Sequence, residues 1–336
     1  MALMTTSNPA SVANEYVTKQ SQKLAEMAQF NLQLAKMVDK DTIQERNGKT
    51  VRYYTEPNGA ASQVVALTEG AKATDLTPTE IETGYVDVTL SPLVWHTDIS
   101  DLYMSTGFIN KFKMAQRVGA QSIALKADAV IRDVILAKHL NSDTSAKEIF
   151  SGYDTGDSST DYASLAAGTA AAGKITEADF LRGLSQIDVS GYGVEGVVMN
   201  SEVFNDFRQD AGVRAALNQM PESVVDGKFY NYWGTKILVT NRGSRETTYG
   251  TYVATGAQHA TFFIAKGAIV APTWKVKNAG TDFMAPKWII PTGPDKYDVA
   301  DTHNPVTAKA YYNAAVVKEK GVLILRSRAT KNFIAA

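Results

Sequence analysis

The sequence GFINKFKMAQRVGAQSIALKADAVIRDVILAKHL, residues 107–140, is the longest stretch of the chain with helical periodicity. Apolar side chains recur along one side of this stretch, and basic side chains lie around the rest of it. At about 1.5 Å per residue the helix would be on the order of 50 Å long. The sustained seven-residue repeat of a coiled coil is missing. We therefore predict one long helix that lies across a sheet.

The segment before this helix, residues 44–100, has the pattern of extended β-structure of mixed polarity. Asn47-Gly48 lies between two extended flanks and predicts a hairpin, because a type I′ turn needs positive φ at both central residues. A long strand is predicted from Tyr85 to Ile99. Before Tyr85 the segment supplies few core residues, so it cannot bury enough apolar surface to be stable by itself. We expect it to be covered from outside, as an arm in an assembly.

The N-terminal part of the chain predicts a second arm. Residues Val12 to Val38 have the spacing of an amphipathic helix, with Leu24, Met27 and Leu34 on its apolar side. The stretch from Asp39 to Asp41 is predicted to end this helix.

The part of the chain after the long helix predicts a mixed α+β unit. The stretch from Asn141 to Lys174 is rich in Ser, Thr, Asp, Gly and Ala, which predicts a loop at a subdomain boundary. Thr176-x-x-Asp179 is a capping-box pattern that opens a helix over Glu177–Ile187. Further short elements are predicted at Val197–Met199 (strand), Glu202–Gln209 (helix capped by Asn200 or Ser201), Lys236–Thr240, Tyr252–Ala254, Thr261–Ile264 and Ala268–Val270 (strands).

The end of the chain predicts a closing hairpin. Its strands would be Thr307–Val317 and Val322–Arg328, turning around Glu319-Lys-Gly321.

The composition excludes several classes of function. The 336 residues contain no cysteine, which removes disulfides, thiolate metal sites and cysteine nucleophiles. The net charge is −1, whereas a dedicated nucleic-acid binder normally has a basic excess. No apolar run is long enough to span a bilayer, and Met1 to Ala10 lack the pattern of a secretory signal. We expect a globular protein that is made and kept in a cytoplasm.

Two stretches resemble nucleotide-binding motifs by their letters alone. Gly191-x-Gly193-x-x-Gly196 matches the dinucleotide fingerprint, but here a predicted helix precedes it and a predicted strand follows, the reverse of the order that the fingerprint needs. Gly168-x-x-x-x-Gly173-Lys174 resembles a phosphate-binding loop, but Ile175 stands where a hydroxyl should reach Mg²⁺. We interpret both as turns and expect no cofactor.

No metal or catalytic constellation is predicted. The four histidines lie far apart in the sequence, without an acidic partner at ligand spacing. Asp154, Asp157 and Asp161 lack the two-residue stagger of a calcium loop, and the G-x-S-x-G elbow of serine hydrolases is absent.

The order of these parts resembles the major capsid protein of tailed bacteriophages, the Hong Kong 97-type fold that encapsulin shells share, and most of all its N4-like podovirus branch. The resemblance covers nearly the whole chain. It is carried by Val12–Val38 as the arm, Asn47–Tyr54 with Leu67-Thr-Glu-Gly70 and Asp98-Ile-Ser-Asp101 as the extended loop, Phe108–Leu140 as the spine helix, Val197–Arg208 with Asp226-Gly227 and Trp233–Arg242 as the axial domain, and Lys309–Tyr312 to Leu323–Ser327 as the closing strands.

The resemblance implies an α+β fold with a definite division of the chain. It implies an N-terminal arm at 1–43, an extended loop at 44–100, a peripheral domain at 101–174 and 300–336 with its spine helix at 107–140, and an axial domain at 175–299.

The resemblance also implies a non-enzymatic shell subunit that forms hexamers and pentamers around a phage genome. Expected partners are further copies of the chain, a separate scaffolding protein, a portal, decoration proteins and packaged double-stranded DNA bound without sequence specificity, with no membrane. The location would be the virion, after assembly in the host cytoplasm. Contacts between subunits are expected at Arg46, Lys49, Arg52, Tyr54, Glu69 and Lys72 of the extended loop.

Three other functions stay open at this point. An encapsulin-like compartment shell would have the same fold but an enzyme inside. An oligomeric α+β enzyme would need a catalytic set that the sequence does not reveal. A phage tail or decoration protein is disfavoured by the long helix.

Overall fold

The computed structural model describes residues 32–44, 49–55, 84–100, 111–140, 148–153, 158–168, 172–219, 224–225, 228–229, 231–249, 251–253, 257–275, 287–289 and 303–330. The described helices are α1 (Lys111–Leu140), α2 (Ser158–Ala167), α3 (Glu177–Val189), α4 (Ser201–Gln209) and α5 (Ala211–Gln219).

The strands follow the same chain order. They are β1 (Asp39–Gln44), β2 (Thr50–Thr55), β3 (Gly84–Thr89), β4 (Ser91–Ser100), β5 (Glu148–Phe150), β6 (Val194–Met199), β7 (Val224–Val225), β8 (Lys228–Phe229), β9 (Asn231–Tyr232), β10 (Thr235–Val239), β11 (Ser244–Thr248), β12 (Thr251–Tyr252), β13 (Gln258–Ala265), β14 (Ile269–Lys275), β15 (Lys287–Ile289), β16 (His303–Tyr312), β17 (Ala315–Val316) and β18 (Val322–Arg328).

The first sheet brings together strands from distant parts of the sequence. Its order is β1-β14-β16-β15, with β4 also paired to β16 and β17 to β14. Strand β4 runs antiparallel to β16 along its whole length, and β1 runs parallel to β14. Helix α1 packs against β4 through Gly119, where an added Cβ would lie 2.8 Å from Trp95 Cε3. The predicted long helix across a sheet is therefore confirmed from Lys111 onward.

The second sheet contains the most deeply buried strand. Its order is β12-β11-β13-β6-β10-β9, and β18 joins β13 to β5. All eight residues of β13 are buried. Helix α3 covers this strand closely, since an added Cβ at Gly183 would lie 2.8 Å from the Phe263 ring. Aromatic stacking among Phe180, Phe207 and Phe263 fills the space between helices and sheet, with Phe180 5.4 Å from Phe263 between ring centroids.

Several local predictions are confirmed. Helix α3 begins with a capping box, in which Thr176 and Asp179 each bond the other's backbone N–H. Helix α4 begins at Ser201, and Asn200 is the capping residue. Helix α3 precedes the Gly191 turn and strand β6 follows it, the order predicted for this stretch.

Two predicted hairpins are wrong. The strands on either side of Asn47-Gly48 do not pair, because β1 joins β14 and β2 joins β3; residues 45–48 themselves lie outside the described residues. The two strands of the predicted closing hairpin also do not pair with each other, since β16 lies in the first sheet and β18 in the second. In both places the long-range partners of each strand outweigh the local turn signal.

The loop predicted at 141–174 contains two elements of its own. Strand β5 pairs in parallel with β18, and helix α2 packs against β5. Of the predicted N-terminal helix, residues 1–31 lie outside the described residues, and Leu34–Met37 form a 3-10 turn that leads into β1.

The two sheets cross the boundaries predicted for the domains. Strand β14, within the predicted axial domain at 175–299, lies in the first sheet beside β16. Strand β18, within the predicted peripheral segment at 300–336, lies in the second sheet. The division into peripheral and axial domains stays a prediction. No helix among the described residues is long and apolar enough to cross a membrane.

Candidate assembly surfaces

A two-stranded ribbon, made of β2 and β3, stands apart from both sheets. The strands are antiparallel, and their register runs from Thr50 opposite Thr89 to Thr55 opposite Gly84. Among the described strands, the two pair only with each other. A ribbon of two strands is marginal in water without further packing. This ribbon therefore depends on its attachments and on whatever covers it.

The outer face of the ribbon carries an ordered ladder of exposed side chains (Thr50, Arg52, Tyr54, Tyr85, Asp87 and Thr89). The Arg52 guanidinium donates two hydrogen bonds of 2.8 Å to the Asp87 carboxylate. Its Cζ atom lies 4.1 Å from the centroid of the Tyr85 ring, a cation–π contact. Tyr54, directly opposite Tyr85, is 66% exposed, and Tyr85 is 57% exposed. The face thus presents two large aromatic rings beside a charge pair of fixed geometry.

The contact between Arg52 and Asp87 shifts the pKa values of both groups. The hydrogen bond from Arg52 holds the pKa of the Asp87 carboxyl below its usual range, and the same bond raises the pKa of Arg52. Both groups stay charged at any pH near neutrality.

The base of the ribbon is fastened to the first sheet. The Tyr53 hydroxyl donates a 2.7 Å hydrogen bond to Asp41 Oδ2 on β1. The Asn313 side-chain amide donates a 2.7 Å bond to the Thr89 carbonyl, and Leu90 N donates to the Lys49 carbonyl. Burial and the bond to Asp41 raise the pKa of Tyr53. These bonds fix the angle at which the ribbon leaves the subunit.

The structure places three of the six predicted contact residues on this ribbon. Arg52 and Tyr54 lie on its outer face, and Lys49 lies exposed at its base. Arg46, Glu69 and Lys72 lie outside the described residues. Sequence reasoning did not select Tyr85 and Asp87, because their place beside Tyr54 and Arg52 follows only from the register of the two strands.

Helix α1 carries an exposed apolar stripe on the side away from the core. Met114, Val118 and Leu125 recur at helical spacing, and each is more than two-fifths exposed. The opposite side of the helix is fully buried through residues that include Ile131 and Ile135. These three side chains leave apolar surface of α1 that the rest of the described chain does not cover.

A buried carboxylate in the middle of α1 holds residues 33–37, which the sequence predicts as the root of an N-terminal arm. Asp128 is 1% exposed and accepts hydrogen bonds of 3.1 Å from both Gln33 N and Leu34 N, the residues that open the 3-10 turn. Arg242, in the turn after β10, donates to the same carboxylate at 2.5 Å. Thr240, from the same turn, donates to the Gln33 side-chain carbonyl. Asp128 thus joins the arm, the long helix and the second sheet.

A second buried carboxylate holds the other end of the described chain. Asp206 on α4 accepts bonds from Thr330 N at 2.6 Å and from the Thr330 hydroxyl at 2.9 Å. Lys174, from the stretch that resembles a phosphate-binding loop, lies 3.7 Å from Asp206 and forms an ion pair with it.

The second sheet encloses a cluster of charged groups around Arg326. This arginine is fully buried between Glu148, at 2.6 Å, and Glu246, at 3.0 Å. Burial disfavours its charge, but the field of Glu246 and Glu148 outweighs burial and raises the pKa of Arg326. The Tyr249 ring centroid lies 4.6 Å from the guanidinium, and the Tyr249 hydroxyl donates a hydrogen bond to Glu148. The cluster ties β5, β11 and β18 together.

A second buried cluster joins helix α4 to the same sheet. Glu202 accepts a 2.8 Å hydrogen bond from Arg245, and its other oxygen lies 3.2 Å from His259 Nε2. Groups of three or more His, Asp or Glu placed to hold a metal are not found in the described part of the chain.

Comparison with solved structures identifies the fold. The capsid of Ralstonia phage GP4 matches with a TM-score of 0.63 at 11% identity, over 89% of this chain and 89% of that chain. The capsid of cyanophage P-SCSP1u matches with a TM-score of 0.59 at 14% identity, over 86% of each chain. The SrpI encapsulin of Synechococcus elongatus matches with a TM-score of 0.54 at 9% identity, over 90% of this chain and 89% of that chain.

The chain therefore has the Hong Kong 97-type fold that its sequence resembles. No protein-family model matches the sequence, and no curated protein is similar to it in sequence.

Proposed function

We propose that this chain is the major capsid protein of a tailed bacteriophage, a structural subunit and not an enzyme. Copies of it would form hexamers and pentamers that close into an icosahedral shell around the phage genome. The proposal rests on one observation above all: the likeness to phage capsid proteins extends over nearly the full length of both chains. The ribbon and the stripe on α1 support it, since each is a surface that a lone subunit leaves uncovered.

We propose that the ribbon of one subunit lies over the long helix of its neighbour. Closed rings need two different patches on each subunit, because rotation brings one patch against the other. The outer face of the ribbon is rich in aromatic area, and the stripe on α1 is aliphatic, so each suits the other. Aromatic residues and arginine are also the residues that dominate the energy of interfaces between proteins. Arg52, Tyr54 and Lys49 would thus contact the neighbour, together with Tyr85.

The shell would meet other partners at its two surfaces. A separate scaffolding protein, a portal and decoration proteins belong to the proposal as the resemblance implies them. Packaged double-stranded DNA would touch the inner surface without sequence specificity. The net charge of −1 fits this role, because a neutral wall neither binds the genome tightly nor repels it strongly.

Electron microscopy of the purified chain tests the proposal. The chain alone, or together with the scaffolding protein of its phage, should form rings or closed shells. If the protein instead stays a monodisperse monomer in low and high salt, at protein concentrations up to about tens of micromolar, the proposal is wrong.

A compartment shell is the second candidate, because the SrpI encapsulin matches over 90% of this chain. The contents of particles isolated from the native source separate the two functions. Nuclease-protected double-stranded DNA of uniform length supports the capsid, whereas a single enclosed enzyme without DNA supports the compartment.

A further inference from the structure

One two-residue turn in the second sheet has a backbone that its first residue does not favour. Trp233-Gly234 joins β9 to β10, with Tyr232 paired to Thr235 on either side. Both central residues have positive φ, 50° at Trp233 and 72° at Gly234, as in a type I′ turn. Trp233 is the one residue other than glycine with positive φ in the described part of the chain. Asparagine or glycine would adopt this conformation with less strain.

The turn is anchored on one side by Tyr232, while Trp233 is half-exposed. Tyr232 is buried against Phe180 and Phe207, and its hydroxyl donates a 2.6 Å hydrogen bond to Glu177, the first residue of α3. The Trp233 indole Nε1 lies 3.4 Å from the same carboxylate, while the residue is 52% exposed. A preorganised, half-exposed tryptophan is the kind of residue that anchors a protein interface. A positive φ is a strained conformation for tryptophan, and such strain often marks a functional position.

A second exposed apolar residue lies at the far end of the same helix. Val189, the last residue of α3, is 86% exposed, the largest value for a large apolar residue among those described. Valine is a poor helix former, so local structure gives no reason for it at this place. Helix α3 has 13 residues, which at 1.5 Å per residue separates its two ends by about 20 Å.

We propose that, in a ring of copies, Trp233 of one subunit packs against Val189 of the next. This inference rests on the proposed function and names one contact within it. A cyclic ring needs two different patches on separate sides of each subunit. The two ends of one rigid helix supply such patches at a constant spacing, so α3 would span each subunit from one contact to the next.

The chain has no cysteine, which allows a direct test by disulfide cross-linking. The double variant W233C/V189C is purified without any other phage protein, oxidised with glutathione disulfide and run on a gel in SDS without reductant. A disulfide needs Cα atoms within about 7 Å, so the two positions of one chain cannot react with each other. The expected result is a ladder of multimers that reductant collapses to one band. Each single variant should give no ladder, and neither should the control V189C/V239C, which moves one cysteine to an exposed position on β10.

A second variant distinguishes a role of Trp233 in the contact between subunits from a role in the folding of its own subunit. W233N replaces the tryptophan by the residue that this turn prefers, so the subunit should melt at a temperature equal to or higher than the wild type. The same variant should raise the concentration needed for ring formation by about tenfold or more. The inference is wrong if the wild type forms rings but W233C/V189C gives no ladder. It is also wrong if W233N forms rings at the same protein concentration as the wild type. Either result leaves the proposed function intact. A wild-type chain that stays monomeric both alone and with its scaffolding protein would overturn both.

Discussion

Arginine–carboxylate pairs occur in two opposite settings in this molecule. On the ribbon, Arg52 and Asp87 meet at 2.8 Å, with 49% and 38% of their side-chain surfaces exposed to water. In the second sheet, Arg326 meets Glu148 at 2.6 Å and Glu246 at 3.0 Å with no exposure at all. The same chemical groups pair in both places, but only the ribbon pair is exposed to water. Exposure to water determines how much each pair contributes to the free energy of folding.

The exposed pair adds little to the folding of its own subunit, because water and salt screen it. It holds the charged and aromatic ladder of the ribbon in a fixed geometry, which the proposed contact with a neighbour would use. The buried pair is a folding element: leaving any one member without its partners would strand a charge in a dry interior. Under the proposed function, the molecule therefore has charges for assembly on the ribbon and charges for folding in the second sheet.

The largest effect is expected when the buried cluster is broken. R326M should lower the free energy of unfolding by about 3–5 kcal/mol, because two carboxylates are left without their counter-ion. Chemical denaturation of the isolated subunit measures this. The triple variant R326M/E148Q/E246Q should recover a large part of the loss, since no net charge then remains buried. A triple variant no more stable than R326M would refute the charge argument and leave packing as the cause.

A smaller loss is expected at the root of the arm. D128N should lower the free energy of unfolding by about 2 kcal/mol, because the charge-assisted bonds to Gln33, Leu34 and Arg242 weaken together. The exposed D133N on the same helix is the matched control and should change stability little. If both variants have the same stability, Asp128 does not hold the arm.

The fastening of the ribbon should contribute less again. Y53F removes one hydrogen bond to Asp41 and should cost about 1 kcal/mol. Hydrogen exchange of the ribbon amides should rise while that of β13 stays unchanged. Faster exchange in both places would mean that the ribbon belongs to the common core.

The exposed pair should hardly change folding but should change assembly. R52A should leave the melting temperature of the subunit as it is and should weaken ring formation, as measured by mass photometry. The pKa of Asp87 is lowered, so the pair is intact above the usual pKa of an aspartate and is lost as pH falls through the lowered value. Wild type and R52A should therefore differ at neutral pH and converge in acid, below about pH 4. A constant difference at all pH values would show that the charge pair is not responsible.

The elements with strong local signals could be predicted from the sequence. The long helix, the capping box at Thr176 and the cap at Asn200 depend on side chains within a few residues of each other. Strand partners depend on residues that lie far apart in the sequence, and the Asn47-Gly48 signal therefore gave a wrong pairing. Helix α2 was missed because its Ser, Thr, Asp and Ala content also suits a loop.

The candidate surfaces could be predicted only in part. Arg52 and Tyr54 were selected as residues of the extended loop that the resemblance implies. Asp87 and Tyr85 could not be predicted as their partners, because that requires the register between β2 and β3, which no local sequence pattern contains. Trp233 gave no signal, since Trp-Gly is not a turn signature, and its positive φ is visible only in the structure.

The position of β18 in the second sheet has a consequence for synthesis. Strand β18 joins β5 to the buried strand β13, so residues 322–328 complete the second sheet from within. Ribosomes add about 5–20 residues per second and release the chain from its N-terminal end first. The second sheet therefore cannot close until residues 322–328 have left the ribosome. A polypeptide cut short anywhere before β18 lacks this strand, so β13 loses its partner along residues 258–264. Under the proposed function, the fold itself would then keep such truncated products out of the shell.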